Sequence, residues 1–400
     1  VALTMAACTT QAAKTGGSDQ SATTSVPTTV PGQKASGSPV KIGFVNSDTG
    51  ASATPQISQG AVVAANRVNE YENGMNGHVL DLIPCSTDGT PEASAACANT
   101  FVSDGVVAVI GGADLGTDAM IPILSGAGIA TIGTSTLGTS QSLNSDAFFY
   151  APPATTYPEE EVDLAAKEGV KHLTLVLPDV AQVPIVTSLG AKQATLDGIG
   201  FTVVTFDPAA PDFASVMASV TSNGSDGIAT IATDGWCDSL IRAATSAGFH
   251  GKIIAGECSA FVADLGAAET AGIYTLSAGW GPTSIGYAPK AAQTVVDQYE
   301  AAMAAAGNTQ GVIGLAWVGY ADVEQSAGVL RTISGDLSAP TVMAAMRNLK
   351  DAPNPIGQPI TCSPRPFPGY SGCTPGWLTF VQQADGTAKP VSSGFVETRT

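Results

Sequence analysis

Charge is what this chain has least of. Only 12% of its 400 residues are charged, and basic ones are the scarcer, with 16 Lys and Arg against 34 Asp and Glu for a formal charge of −18. Such a surface excludes nucleic acid and anionic lipid headgroups as primary partners and suits a neutral or cationic ligand. His78, His172 and His250 are scattered, and no C-x-x-C occurs, so no metal cluster is expected. No apolar run reaches the roughly 20 residues that span a bilayer, so the chain is expected to be anchored or soluble. The signs of catalysis are missing too. Ser135 has no G-x-S-x-G around it, Gly111-Gly112-Ala113-Asp114-Leu115-Gly116 lacks dinucleotide-loop spacing, and no histidine falls at the end of a predicted strand. No enzyme and no cofactor are expected.

Apolar residues make up 44% of the chain, which suits a packed core, and 400 residues exceed the size at which one core keeps growing. Two lobes are therefore expected. Of seven cysteines, Cys8 stands alone and six are near neighbours in sequence: Cys85 and Cys97, Cys237 and Cys258, Cys362 and Cys373. Sequence cannot fix how six cysteines pair. Neighbour pairing is the economical reading, because each bond would pin a loop beside a strand end, and structural disulfides imply an exported protein.

The folded part opens on Val40 to Gly60. Lys41-Ile42-Gly43-Phe44-Val45 reads as a buried strand, Asn46 to Ser52 as a loop of small polar residues, and a helix starts near Pro55, which a first turn tolerates. Strand, loop and helix make the opening unit of a parallel α/β sheet, and donors at the helix start can hold a small polar molecule. The unit repeats. Val106 to Ile110 is a continuous apolar run of the kind buried on both faces. After Tyr150 the pattern begins again, with strands at His172 to Leu177, Phe201 to Phe206, Ile228 to Thr233 and Lys252 to Ala255. Helices near 289–306, 311–332 and 340–348 follow, and the tail closes in a hairpin turning at Asp385-Gly386.

In order and spacing these segments resemble the type I periplasmic binding proteins around the leucine/isoleucine/valine-binding proteins of ABC transporters, over about residues 40–395. The resemblance is carried by Asp48-Thr49-Gly50-Ala51, Gln59-Gly60-Ala61, Val68 to Gly74, Ser103 to Gly111 and Gly319-Tyr320-Ala321-Asp322. It implies an α/β fold of two Rossmann-like lobes with parallel sheets joined by a three-crossing hinge. Lobe one would comprise residues 40–150 plus 280–340, and lobe two 151–279 plus 341–400. The implied function is an extracytoplasmic substrate-binding protein of an ABC importer, holding an amino acid, amide or related small amine-bearing solute between the lobes and presenting it to permease subunits. A monomer is expected. A ligand-sensing receptor domain of the same fold is the alternative, and an exported enzyme the remotest one.

The family's ligand wall, carried over, falls in lobe one on Thr49, Ala51, Ser52, Ala113, Asp114, Leu115, Thr134, Ser135 and Thr136. In lobe two it falls on Tyr157, Asp179, Asp234, Trp236 and Glu257, with Trp280 at a crossing. Asp114, Asp234 and Glu257 suit an amine, and no strand-end loop carries an Arg for a carboxylate. The blander roles are helix capping for Asp114 and Asp234 and core or hinge packing for Trp236 and Trp280. Tyr150 and Tyr157 flank the first crossing, and one of them is expected to reach the cleft.

Residues 1–7 read as the remnant of a secretory signal, and Met5-Ala6-Ala7-Cys8 resembles the lipobox of bacterial lipoproteins. On that reading residues 8–39 are a lipid-anchored cysteine and a flexible Ser/Thr/Gly/Pro tether on the outer face of the cell membrane. An incidental cysteine in an ordinary signal fragment is the alternative.

Overall fold

The computed structural model describes residues 32–50, 53–133, 139–180, 183–232, 234–256, 258, 261–308 and 314–397. Lobe one begins β1 (Gly37–Ser47), α1 (Pro55–Tyr71), β2 (His78–Thr87), α2 (Pro91–Asp104), β3 (Ala108–Gly111), α3 (Thr117–Gly126), β4 (Ala130–Gly133), α4 (Thr139–Leu143) and β5 (Ala147–Phe149). Lobe two follows with α5 (Tyr157–Lys167), β6 (His172–Pro178), α6 (Val183–Asp197), β7 (Gly200–Phe206), α7 (Phe213–Ser222), β8 (Gly227–Thr230), α8 (Asp234–Ser246), β9 (Lys252–Ala255), α9 (Phe261–Leu265), α10 (Ala267–Thr270) and β10 (Tyr274–Ser277). The chain then forms α11 (Lys290–Ala305), α12 (Leu315–Leu330), α13 (Ala339–Arg347), β11 (Gly376–Gln382), β12 (Ala388–Pro390) and β13 (Val396–Glu397). No helix among the described residues is long and apolar enough to cross a membrane.

The lobes share one topology. Lobe one is an all-parallel sheet in the order β2-β1-β3-β4-β5, and lobe two repeats it as β7-β6-β8-β9-β10 before adding β11 and β12 antiparallel. In such sheets ligands collect outside the strand C-termini where the strand order reverses, here between β1 and β3 and between β6 and β8. The chain passes between lobes three times, at residues 150–153, 278–281 and 374–376. The first and third passages are tied together, as Cys373 N–H donates to the Phe149 carbonyl at 2.7 Å and Thr374 Oγ1 to the Tyr150 carbonyl at 3.2 Å, and the second is tied to lobe one by Trp280 N–H on the Ile356 carbonyl at 2.7 Å.

The expected boundaries are corrected twice. Val342, Met343 and Met346 form the apolar face of α13 and bury in the core of lobe one with Ile356, Ile360, Cys362 and Cys373. Arg347 Nη2 also pairs with Asp146 of lobe one at 2.6 Å. Residues 341–373 thus belong to lobe one, and only the terminal hairpin returns to lobe two. The second correction lies at the front, where residues 32–39 are part of the fold rather than tether. Ala35 is buried, its N–H donates to the Asn69 carbonyl at 2.8 Å, and β1 starts at Gly37. Cys8 and residues 1–7 lie outside the described residues.

All three neighbour disulfides form, with Cα separations of 5.8 Å for Cys85–Cys97, 6.0 Å for Cys237–Cys258 and 4.5 Å for Cys362–Cys373. The crossing of α1 and α12 is closer still. A Cβ on Gly60 would sit 1.9 Å from the Ala316 carbonyl oxygen, and one on Gly319 would sit 1.9 Å from that of Ile57. Only glycine admits two backbones at that range. At the far end of the same pair, Glu72 bridges Arg67 and Arg331, with Glu324 beside it. Burial and then the negative charge of Glu72 push the Glu324 carboxyl up to about 8. Burial works to raise Glu72 as well, but Arg331 and Arg67 hold it below the usual carboxylate range.

Candidate functional site

The loop after β1 is stitched to its own lobe. Asn46 Nδ2 donates to Asp48 Oδ1 at 2.6 Å and to the Thr54 carbonyl at 2.8 Å, while Asn46 Oδ1 receives Ala113 N–H at 2.9 Å. Ser58 Oγ holds Asp48 from the first turn of α1 at 2.7 Å, and Thr49 Oγ1 donates to the Thr87 carbonyl at 3.1 Å. Asp114 is 0% exposed. Its Oδ1 accepts from Thr87 Oγ1 at 2.7 Å, Ser47 Oγ at 3.2 Å and Gly116 N–H at 3.3 Å, and its Oδ2 accepts from Ser94 Oγ at 2.6 Å. The N-cap of α3 is Gly116, and no side chain caps that helix. Asp114 therefore neither caps the helix nor faces the space between the lobes. It ties β1, β2, α2 and the β3–α3 loop into one knot, and a carboxylate with that many donors has its charge satisfied where it stands.

The cleft itself opens beside this knot. A cavity of about 300 Å³ is lined from lobe one by Ile57, Gly111 to Ala113, and Leu315, Trp317, Val318 and Asp322 of α12. Lobe two contributes Tyr157, Phe261, Val262, Thr275, Trp377, Phe380 and Gln382, and the hinge contributes Ala151 and Ala278 to Ser284 apart from Trp280. Its walls are aromatic. Tyr157 stacks on Trp377 with ring centroids 4.3 Å apart, and Trp317 lies parallel to Tyr320 at 6.1 Å with Tyr299 edge-on at 5.2 Å. Asp322 is the one charged side chain among the described residues lining the cavity, and it is 2% exposed. Its charge reaches the first crossing. Burial, and to a lesser degree the charge of Asp322, drive the Tyr150 hydroxyl well above the usual phenol range, while Ser326 beside it pulls the other way.

Of the residues expected at the wall, Ala113 and Tyr157 come together in this cavity. Thr49 and Asp179 are exposed on the strand-end loops, and Leu115 is 48% exposed. Trp236 packs edge-on against Phe206 at 5.3 Å, and Trp280 against Phe380 at 5.7 Å, so both work as packing residues of lobe two and hinge. Ala51, Ser52, Thr134, Ser135, Thr136 and Glu257 lie outside the described residues. Asp234 opens α8, and its side chain is likewise outside them. Of the two tyrosines at the first crossing, Tyr157 is the one lining the cavity. Trp317, Trp377, Gln382 and the role of Asp322 were not anticipated. The signal available was Asp322 within Gly319-Tyr320-Ala321-Asp322. Nothing local marks Trp377 or Gln382, because the hairpin reaches the cleft only by pairing with β10.

Two doubly wound lobes, three crossings and a cleft lined from both sides define a hinged protein that encloses a small molecule. The chain belongs to the periplasmic binding protein family, whose pattern matches residues 39–365. That is a family of binding proteins and not of enzymes. Among solved structures it is similar to an extracellular ligand-binding receptor from Verminephrobacter eiseniae, at 18% identity and TM-score 0.74 over 88% of this chain and 99% of that one. It is also similar to a branched-chain amino acid transporter substrate-binding protein from Streptococcus pneumoniae in complex with isoleucine, at 17% identity and TM-score 0.70 over 90% and 99%. A third is an ABC transporter solute-binding protein from Rhodopseudomonas palustris in complex with 3,4-dihydroxybenzoic acid, at 16% identity and TM-score 0.72 over 90% and 98%. No curated protein sequence matches the chain. Among the described residues no group of His, Cys, Asp and Glu is placed to hold a metal ion.

Proposed function

We propose that the protein is the substrate-binding component of an ABC importer and that its solute is a small molecule carrying an amine on an apolar or aromatic body. The observation that carries this reading is the charge of the cleft. Asp322 is buried in it, and no Lys or Arg is among the described lining residues. A buried carboxylate strongly favours a cationic partner over an anionic one. Tyr157, Trp317 and Trp377 supply flat surfaces that suit an apolar or cationic body. Closure is a population shift about the three crossings, driven by the contacts that the ligand gains when both walls touch it. Cys8 would carry a lipid anchor, residues 9–31 would tether the lobes to the outer face of the membrane, and the closed form, a monomer, would engage the permease.

A thermal-shift screen tests the solute class, since a molecule that binds only the native state raises its melting temperature. Leucine, phenylalanine, phenethylamine and agmatine form one arm, and isovalerate and 4-hydroxybenzoate the other. Stabilisation confined to the amine arm is expected. Stabilisation by the carboxylates alone would remove the reading.

A further inference from the structure

The cavity does not stop at the interlobe cleft. It continues along the face of β10 and β11, past Phe261 and Val262 of α9, to Thr275, Gln382 and Ala388. Phe380 and Gln382 lie on one face of β11, with Thr275 of β10 paired opposite Phe380, whereas Trp377 lies on the other face. Most of the branch is apolar, with Phe261, Val262, Phe380 and Ala388 on its walls. The far end carries a polar atom without a partner: Gln382 is 5% exposed, and its Oε1 accepts no hydrogen bond among the described residues. Gln382 Nε2 does donate to Thr275 Oγ1, at 3.2 Å. If the amide is turned over, the unmatched atom becomes the amide nitrogen; either way one polar atom of the amide is left over. Buried polar groups are almost always paired, and one left unpaired at the end of an apolar cavity is costly unless something else completes it.

We propose that this branch holds the far end of an elongated solute. Its apolar middle lies along Phe380, and a terminal hydroxyl or amide completes the hydrogen bonding of Gln382. A hydroxyl serves in both amide orientations, because it can donate and accept. The proposal rests on the amine reading of the cleft for the solute's other end, but the tail is recognised by different residues. It also defines a size class, since a single small amino acid leaves the branch and its unmatched polar atom untouched.

The test is a titration of the full chain, followed by thermal shift and calorimetry, with 8-amino-1-octanol, octylamine, 4-amino-1-butanol and 1,8-octanediol. Tightest binding is expected for 8-amino-1-octanol, with octylamine weaker by roughly tenfold or more, the usual cost of leaving a built polar site unpaired. In Gln382→Leu that preference should vanish or invert. Val262→Trp, which fills the branch from α9, should weaken the long amines while sparing 4-amino-1-butanol. Binding of 1,8-octanediol without any of the amines would uphold the branch and overturn the amine reading. Equal binding of the long and short amino-alcohols, or no binding by any eight-carbon probe, would overturn the branch. The comparison of probes on the native chain stands even if a variant fails to fold.

Discussion

Asp114 and Asp322 are both acids of lobe one, both buried, and both near the space between the lobes, yet they serve opposite ends. Around Asp114 both carboxylate oxygens accept hydrogen bonds, from Ser47, Thr87, Ser94 and Gly116. Asp322 lines the cavity, which also reaches Gln382 of β11, whose Oε1 has no partner among the described residues. The difference is one of place. A saturated network held away from the cavity is a fastening and has nothing left to offer a ligand, whereas a charge on the cavity wall is where a ligand can gain. A strand-end acid is therefore a poor guide to a binding site until its partners are known.

The strongest way to break the comparison is to separate the helix that carries Asp322 from the helix beneath it. Gly319→Ala places a methyl 1.9 Å from the Ile57 carbonyl oxygen, which neither backbone can yield without moving the helix. A loss of about 3 kcal/mol or more is expected in denaturant unfolding, with failure to fold as its extreme. Asp114→Ala should come next, at about 3 kcal/mol, because it removes at once the shared carboxylate to which three buried hydroxyls donate. Asp322→Asn should sharpen the contrast, with a loss of affinity of at least about tenfold.

A further effect is on pH dependence. Glu324 is pushed up to about 8 by burial first and by Glu72 second, and Glu159 to about 7 by burial, opposed by Lys192. A carboxyl whose folded value lies above its unfolded one keeps its proton only in the native state across that interval. Each therefore contributes stability that is fully present below the ordinary carboxylate value and is lost progressively as pH rises to about 7 for Glu159 and about 8 for Glu324. Glu72 runs the other way, and its contribution is lost only as pH falls below the ordinary carboxylate value. Unfolding free energies measured from pH 4 to 9 should decline from about pH 5 and level off once pH passes about 8. Glu324→Gln should flatten that decline by about 1–2 kcal/mol, and an unchanged slope would remove the assignment.

Much of the fold was legible because it depends on short-range pattern. Val106 to Ile110 could only be a strand covered on both faces, and the repeated alternation of strand and helix announced two parallel sheets. The disulfides were legible because each pair sits close in sequence beside a strand end. Gly60 and Gly319 stood in recognisable segments, and the structure supplies their physical reason in the backbone contact of α1 with α12. The site was far less legible. Asp114 finds its partners on segments 20 to 67 residues away, so its fastening role has no local sign. Trp377 and Gln382 enter the cleft through antiparallel pairing of β11 with β10, some hundred residues distant in sequence. The apolar face of α13, read locally, shows burial but not which lobe provides it.

The central claim is that the cleft reads an amine through Asp322. Calorimetric titration of phenethylamine, leucine and 4-hydroxybenzoate into the native chain and into Asp322→Asn tests it most directly. The account predicts that one or both amines bind the native chain, that 4-hydroxybenzoate does not, and that Asp322→Asn weakens the amine at least about tenfold while still unfolding cooperatively. Binding of 4-hydroxybenzoate alone, or an amine affinity indifferent to Asp322→Asn, would contradict it.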